Sequence, residues 1–301
     1  MFGRGDTEGT GLRQGMAGLL RILSDLHLGH AGCAIDQVAS LAPLLEGART
    51  VVLNGDTCEQ KHRKFAEAGE AGWAALRSMA EERGIELKAL RGNHDPRISS
   101  TEYLDLAEGR LFVTHGDAVL PYLSPWSPGI VEVKPAMDAY RLEYSEERWA
   151  ELDQRMDYTQ RCRSLTPRYR GEFKQGWLKT IRTMARLAWP PRRPAMILHT
   201  WLTAHRRAEE FAATYRPHSE VMVFGHTHRT GVWRRAIPGG GKRLLINTGG
   251  YLNPCRALLV EVEDPDSAAP WLRVRRVVRR GGDFQPGPTL LEHRLTPAPG
   301  T

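Results

Sequence analysis

Side chains able to bind metal ions follow several short apolar runs in this sequence. Asp25 and His27 come directly after Leu19–Leu23, and Asp56 comes shortly after Thr50–Leu53. Three later runs are followed in the same way by further polar residues: Asn93, His94 and Asp95, then His115, and then His226 and His228. Carboxylate, amide and imidazole donors without cysteine suit hard or borderline divalent cations such as Mn, Fe, Zn or Mg. The sequence therefore predicts a divalent metal site.

The number of donors is sufficient for two metal ions. Two divalent cations about 3.5–4 Å apart need a bridging anion, further nitrogen or oxygen donors and open positions for water and substrate. Asp56 can supply the bridge. Two groups can complete the coordination: Asp25, His27 and His228 for one ion, and Asn93, His115 and His226 for the other. Leu26, between Asp25 and His27, is expected to point away from the ions into the core.

The elements that must position these side chains alternate between strand and helix. Helical spacing of apolar residues covers 34–45 and 65–83, and apolar runs predict strands at 19–23, 50–53, 86–90, 110–114 and 220–224. This order favours an α/β fold with a mainly parallel sheet early in the chain. Later runs at 242–247, 257–263 and 271–278 predict antiparallel strands. Ligand sites in such folds lie beyond the carboxyl ends of the strands, which is where the polar residues fall.

The chain is predicted to form one domain at 19–280, interrupted by a helical insertion at about 121–215. The ends, 1–18 and 281–301, contain many Gly or Pro residues and are expected to be loosely ordered. Helix formers dominate the insertion at 137–160, 173–189 and 195–215, and connections of this length are typically lids or subdomains. Five of the eight tryptophans fall there: Trp126, Trp149, Trp177, Trp189 and Trp201. They either line a lid over the site or form the insertion's own small core.

Composition limits the classes of partner and compartment. The 301 residues carry a formal charge of +7, which favours nucleic acid, phosphorylated substrates or acidic membrane surfaces as partners, or reflects base usage in the genome. The four cysteines are scattered without C-x-x-C spacing, as in a reducing compartment. No run approaches the roughly 20 apolar residues of a membrane helix, and 1–18 does not resemble a signal peptide. A cytoplasmic protein, soluble or peripheral to a membrane, is expected.

Five motifs occur in a fixed order: D-x-H at 25–27, G-D at 55–56, G-N-H-D at 92–95, H-G-D at 115–117 and G-H-T-H at 225–228. In this order they resemble the motifs of the calcineurin-like metallophosphoesterases. The resemblance implies a two-layer β sandwich flanked by helices, with a dinuclear metal centre at one edge. It also implies hydrolysis of a phosphoester, in which a metal-bridging hydroxide attacks phosphorus in line.

The same resemblance implies roles for residues beside the metal ligands. His94 would act as a general acid next to the leaving-group oxygen, and Asp95 would orient its imidazole. Glu59 and Asp117 are interpreted as supporting residues rather than ligands. The segment Asn247–Gly250 is similar to the family's closing loop beside the site.

The long insertion before G-H-T-H, with Arg229 directly after that motif, is similar to the bacterial UDP-2,3-diacylglucosamine pyrophosphatase branch. This implies a lipid-linked nucleotide substrate, with tryptophans of the insertion contacting acyl chains, its arginines holding phosphates, and a peripheral contact with an anionic membrane. That branch generally carries Arg where this chain has His94. The prediction is therefore hydrolysis of a phosphoester or pyrophosphate bond. A nuclease, a cyclic-nucleotide phosphodiesterase and a non-catalytic scaffold of the same fold are the alternatives.

Overall fold

The computed structural model describes residues 18–120, 122–124, 130–165, 192–237 and 240–296. Its strands, in chain order, are β1 (Leu19–Leu23), β2 (Thr50–Asn54), β3 (Glu86–Leu90), β4 (Tyr103–Leu106), β5 (Leu111–Thr114), β6 (Val221–Phe224), β7 (Gly231–Ala236), β8 (Lys242–Asn247), β9 (Gly249–Gly250), β10 (Arg256–Glu263), β11 (Trp271–Arg280) and β12 (Asp283–Arg294). Its helices are α1 (Ala42–Leu45), α2 (Ala66–Glu81), α3 (Ile130–Arg141), α4 (Glu146–Trp149), α5 (Leu152–Leu165) and α6 (Arg192–Tyr215). A 3-10 turn, Val38–Leu41, leads into α1.

The strands form two sheets that pack face to face. The first has the order β12-β11-β10-β1-β2-β3, with β9 paired to β10, and the second has the order β4-β5-β6-β8-β7. Ile22 and Val52 of the first sheet share one buried apolar cluster with Val113 and Val223 of the second. The predicted two-layer β sandwich is therefore confirmed.

Parallel pairing brings the polar segments to one edge of the sandwich. β1, β2 and β3 run parallel in the first sheet, and β5, β6 and β8 run parallel in the second. The carboxyl ends of parallel neighbours lie at the same edge, so the segments after β1, β2 and β3 are neighbours, as are those after β5 and β6. Of the three later strands predicted to be antiparallel, β10 and β11 pair with each other in that way. The third, β8, is antiparallel to β7 but parallel to β6, so that part of the prediction holds on only one side of the strand.

Helices cover the outer faces of both sheets. Leu44 of α1 and Leu76 of α2 pack with Leu23 of the first sheet, because apolar side chains alternate between the two faces of a strand. On the second sheet, Met156 of α5 and Phe211 of α6 pack in the same way with the sheet's outward-facing apolar residues. None of the helices within the described ranges combines the length and apolar character needed to cross a membrane.

Most predicted elements occur near their expected positions, with differences in the insertion and at the first helix. The segment predicted as a helix at 34–45 is helical only from Val38, and Ala34 before it donates its N–H to the Tyr251 carbonyl (2.7 Å). The insertion is helical where it is described, although the predicted helix at 137–160 is divided among α3, α4 and α5. The expected helix at 173–189 and the tail at 1–17 lie outside the described residues.

The prediction that 281–301 is loosely ordered is wrong for most of that segment, because β12 pairs with β11 from Asp283 to Arg294. Pro286 and Pro288 argued against a strand, but β12 is an edge strand with register shifts near them, where a missing N–H is tolerated. β4 and β7, for which the sequence pattern predicts no strand, are also edge strands. Edge strands bury less apolar surface, so their sequence signal is weaker.

A buried ion pair ties the insertion to the segment after β5. Arg163 of α5 donates from Nε and Nη2 to the two carboxylate oxygens of Asp117 (2.7 and 2.9 Å) and from Nη1 to Glu102 (2.6 Å). Burial alone would raise the pKa of Asp117, but the Arg163 guanidinium holds it below its usual range. Asp117 therefore anchors α5 to the segment that follows β5.

We expect Arg163→Met to lower the free energy of unfolding by about 3–5 kcal/mol, since it leaves the buried Asp117 carboxylate unpaired. Chemical denaturation measures this loss. Arg161→Met is the matched control, because Arg161 lies on the same helix but pairs with the exposed Glu143, and a solvent-screened surface pair contributes little to stability. Equal stability losses in the two variants would contradict a structural role for the buried pair.

Candidate metal centre

The segments that follow the strands bring two groups of ligand atoms together at one edge of the sandwich. Asp25, His27 and His228 form the first group, and Asp56, His115 and His226 form the second; within each group the ligand atoms lie within 4.8 Å of one another. Asn93, predicted for the second group, places Oδ1 3.2 Å from Nε2 of His115. The structure thus places all seven predicted ligands at one site, in the two groups expected from the sequence.

Asp56, a member of the second group, also approaches the first. Its Oδ2 is 3.3 Å from Nε2 of His115 and 3.9 Å from Nε2 of His27, while its Oδ1 accepts the N–H of His94 at 2.7 Å. Burial alone would raise the pKa of Asp56, but the nearby imidazoles, first that of His115, lower it well below its usual range. An ionised carboxylate close to both donor groups is the arrangement that a bridging ligand requires.

Five of the predicted ligands have a backbone conformation that side-chain-bearing residues rarely adopt. Their φ angles lie between 50° and 67°: Asp25, His27, Asp56, His226 and His228. The left-handed region costs an L-residue roughly 1–2 kcal/mol, and it persists where surrounding contacts over-determine it. Here the N–H groups of Asp25 and His27 donate to the carbonyls of Gly55 and Asp56 (3.0 and 2.9 Å). The turns are therefore held in a strained form that directs the side chains toward one point.

Two glycines allow the carboxylates to pack against backbone. A Cβ atom at Gly92 would lie 2.2 Å from Oδ1 of Asp56, and one at Gly225 would lie 2.2 Å from Oδ2 of Asp25. Any larger residue at these positions would displace a predicted ligand. The glycines of G-N-H-D and G-H-T-H are thus required by the site itself.

The imidazole rings are oriented by contacts on the side away from the centre. Nδ1 of His115 donates to the carbonyl of Asn54 (3.0 Å), and Nδ1 of His27 lies 3.0 Å from Oε1 of Glu59. Such partners fix the tautomer and direct Nε2 toward a metal. Leu26, which separates Asp25 from His27, is fully buried in the apolar cluster beneath the first sheet, so its predicted position is confirmed.

The predicted pairing of Asp95 with His94 is wrong. Asp95 is buried and its carboxylate accepts the N–H groups of Gly92, Asp56 and Thr57 (2.9, 3.1 and 2.6 Å). It therefore shapes the backbone around Asp56 rather than contacting the imidazole. Adjacency in sequence did not indicate this, because neighbouring side chains in a turn can point in different directions.

Glu59 contacts His94 instead. Its Oε2 lies 2.9 Å from Nδ1 of His94, while its Oε1 holds His27. Burial alone would lower the pKa of His94, but the carboxylates of Glu59 and Asp56 raise it to about 9. One buried carboxylate thus links a predicted metal ligand to the predicted general acid. The sequence signal was only the acidic residue three positions after Asp56, which does not reveal its two partners.

The closing loop packs behind Asp25, as its resemblance implied. Ser24 donates its hydroxyl to Oδ2 of Asp25 (2.6 Å) and lies 2.5 Å from the hydroxyl of Thr248, and the N–H of Tyr251 donates to the Asp25 carbonyl (2.9 Å). Burial alone would raise the pKa of Asp25, but His228 lowers it. The loop therefore helps to position an ionised ligand.

No family model and no curated protein matches this chain. Among solved structures, a Vps29 double mutant from Entamoeba histolytica is 13% identical over 92% of this chain and 98% of its own, with a TM-score of 0.42. A Streptococcus pneumoniae protein described as a predicted phosphoesterase is 13% identical over 93% and 98%, with a TM-score of 0.38. A purple acid phosphatase from yellow lupin is 9% identical over 94% of this chain and 54% of its own, with a TM-score of 0.39. Sequence identities and TM-scores this low say nothing about the activity of this chain.

Proposed function

We propose that this chain, which has the two-sheet fold and the ordered ligand motifs of the calcineurin-like metallophosphoesterases, is a metal-dependent phosphoester hydrolase. The observation that carries the proposal is the convergence of two donor groups at Asp56, which belongs to the second group and also approaches His27 of the first. Each group combines one carboxylate with two imidazoles, a donor set that fits Mn, Fe or Zn. We propose two ions and take Mn as the first metal to test.

The residues that would hold the ions follow from the two groups. Asp25, His27 and His228 would hold one, His115, His226 and Asn93 would hold the other, and Asp56 would contact both. Divalent cations at such a centre lower the pKa of water and offset negative charge on the phosphoryl oxygens. Because Glu59 and the Asn54 carbonyl already orient two of the imidazoles, little rearrangement of the protein is needed for loading.

We propose His94 as the group that donates a proton to the leaving group. Its side chain is 38% exposed whereas that of Glu59 is 2% exposed, so the ring is held from the buried side and faces solvent on the other. Nδ1 is engaged by Glu59, which leaves Nε2 for the substrate. With a pKa of about 9, the imidazole is protonated at neutral pH and can protonate a departing oxygen.

Within this class we extend the proposal to a pyrophosphate bond in a lipid-linked nucleotide, with a peripheral contact to an anionic membrane. The sequence resemblance of the insertion supports it. Helix α6 of the insertion also exposes Leu198, Trp201 and Leu202, at 56%, 43% and 52% of their surfaces, and apolar side chains of this kind suit contact with acyl chains.

The proposed function is tested with bis(p-nitrophenyl) phosphate. We expect no hydrolysis after EDTA treatment, and hydrolysis that returns in proportion to added Mn up to about two ions per chain. Elemental analysis gives the stoichiometry. A screen of phosphomonoesters, nucleotides, nucleotide sugars and a lipid-linked UDP sugar then ranks substrates by kcat/KM. If the Mn-loaded protein hydrolyses none of the phosphoesters in the screen, the proposal is contradicted.

A further inference from the structure

A cavity of about 230 Å³ lies between helix α5 and the segments that follow Glu59 and Asp95 in the chain. Gln60, Lys61 and Arg97 line it on the side of the sandwich, and Gln160, Arg163 and Ser164 line it on the side of α5. Pockets for drug-sized ligands measure about 300–1,000 Å³, so this one accommodates a substituent rather than a whole substrate. Among the described residues that line it, none is a carboxylate.

The cavity is built against His94. The N–H of Gln60 donates to the carbonyl of His94 (3.0 Å), and the side-chain oxygen of Gln60 accepts the N–H of Arg97 (2.9 Å). On the side of the sandwich, Gln60 and Lys61 follow Glu59 in the chain, and Arg97 lies three residues after His94. We assign the cavity to the leaving-group side because its walls continue directly from Glu59 and His94, which form the pair proposed to protonate the leaving group.

The charge in the cavity comes from Lys61 and Arg97. The Arg163 guanidinium is already paired with Asp117 and Glu102. The backbone carbonyl of Arg163 accepts a hydrogen bond from Nζ of Lys61 (2.7 Å). That bond fixes the ammonium at the wall. Burial and then the positive charge of Arg163 lower the pKa of Lys61 to about 8, so a bound anion would favour its protonated form.

We propose that this basic pocket, lined by Gln60, Lys61, Arg97, Gln160 and Ser164, binds a phosphate group carried by the leaving group of the substrate. The position on the leaving-group side rests on the proposed function, whereas binding of phosphate rests on the pocket alone. Lysine and arginine supply charge-assisted hydrogen bonds to phosphate oxygens, and the amides and hydroxyl supply further donors. The substrate class is thus a phosphoester whose departing half is itself phosphorylated, as in a pyrophosphate.

Phosphate binding is measured first, by calorimetric titration of the EDTA-treated protein with inorganic phosphate at low ionic strength. We expect Lys61→Gln and Arg97→Ala each to weaken binding at least about tenfold, the usual effect of losing a charged hydrogen bond. Lys88→Gln is the matched control, because Lys88 lies on β3 and pairs with Glu86, and it should bind as the unmodified protein does. Absence of phosphate binding, or equal affinity in all variants, would overturn the proposal.

The leaving-group position is measured second, with the Mn-loaded protein. The ratio of kcat/KM for a nucleoside diphosphate sugar to kcat/KM for bis(p-nitrophenyl) phosphate should fall about tenfold or more in Lys61→Gln and Arg97→Ala, and should be unchanged in Lys88→Gln. An unchanged ratio combined with lost phosphate binding would show a site for free phosphate and overturn the leaving-group assignment. If the unmodified protein hydrolyses neither substrate, the proposed function is refuted instead. The phosphate titration alone would then decide whether the pocket binds phosphate.

Discussion

Asp56→Ala is expected to abolish both metal loading and phosphodiester hydrolysis. The carboxylate belongs to the second donor group and also approaches the first, 3.3 Å from His115 and 3.9 Å from His27, and the nearby imidazoles keep it ionised despite its burial. Without it, the second group of ligand atoms would retain no carboxylate. Elemental analysis should give well below one Mn per chain, and hydrolysis of bis(p-nitrophenyl) phosphate should fall to the background rate.

Two further variants separate loss of the bridge from damage to the fold. Asp56→Asn retains the acceptor for the His94 N–H but removes the negative charge, so it should fold normally and still load poorly. Asp36→Ala is the control, since Asp36 is an exposed aspartate paired with Arg279, and it should load and hydrolyse as the unmodified protein does. Full metal content and full rate in Asp56→Ala would refute the dinuclear arrangement.

His94→Ala is expected to lower kcat by about 10²–10⁴ while metal content stays unchanged, because general acid catalysis typically contributes this much. The pH dependence carries a further expectation. The acid must be protonated, so the rate should be highest below the pKa of about 9 and should fall as the pH rises through it. That alkaline decline should disappear in His94→Ala. His218→Ala, which removes an exposed histidine, should change neither the rate nor the profile.

Glu59→Gln tests whether the carboxylate acts through His94. Glu59 raises the pKa of His94, so its neutralisation should move the alkaline decline to lower pH. Because Glu59 also holds His27, metal affinity should fall as well, and this loss can be corrected by assaying at saturating Mn. An unchanged alkaline decline at saturating Mn would show that Glu59 does not set the protonation of His94.

The site was more predictable than the elements around it. Its ligands occupy short motifs directly after apolar runs, so their order along the chain and their placement beyond strand ends could be inferred without coordinates. The helices of the insertion and the edge strands β4, β7 and β12 were harder, since they bury less surface in the main core and carry proline or charge where a central strand would not. Glu59 shows the same limit within the site: its acidic character was visible, but its two histidine partners were not.

The amino-acid sequence by itself determined the types of metal donor, their assignment to two groups and the alternation of strand and helix that delivers them to one edge. Those features depend on local order along the chain and on the two-residue period of a strand. Only the tertiary structure decided that Glu59 rather than Asp95 holds His94, that Arg163 anchors the insertion through Asp117, and that a basic pocket forms between α5 and the segments after Glu59 and Asp95. Each is a contact between side chains that are distant in sequence or diverge within one turn, and such contacts arise only when strained turns and packed layers bring the groups together.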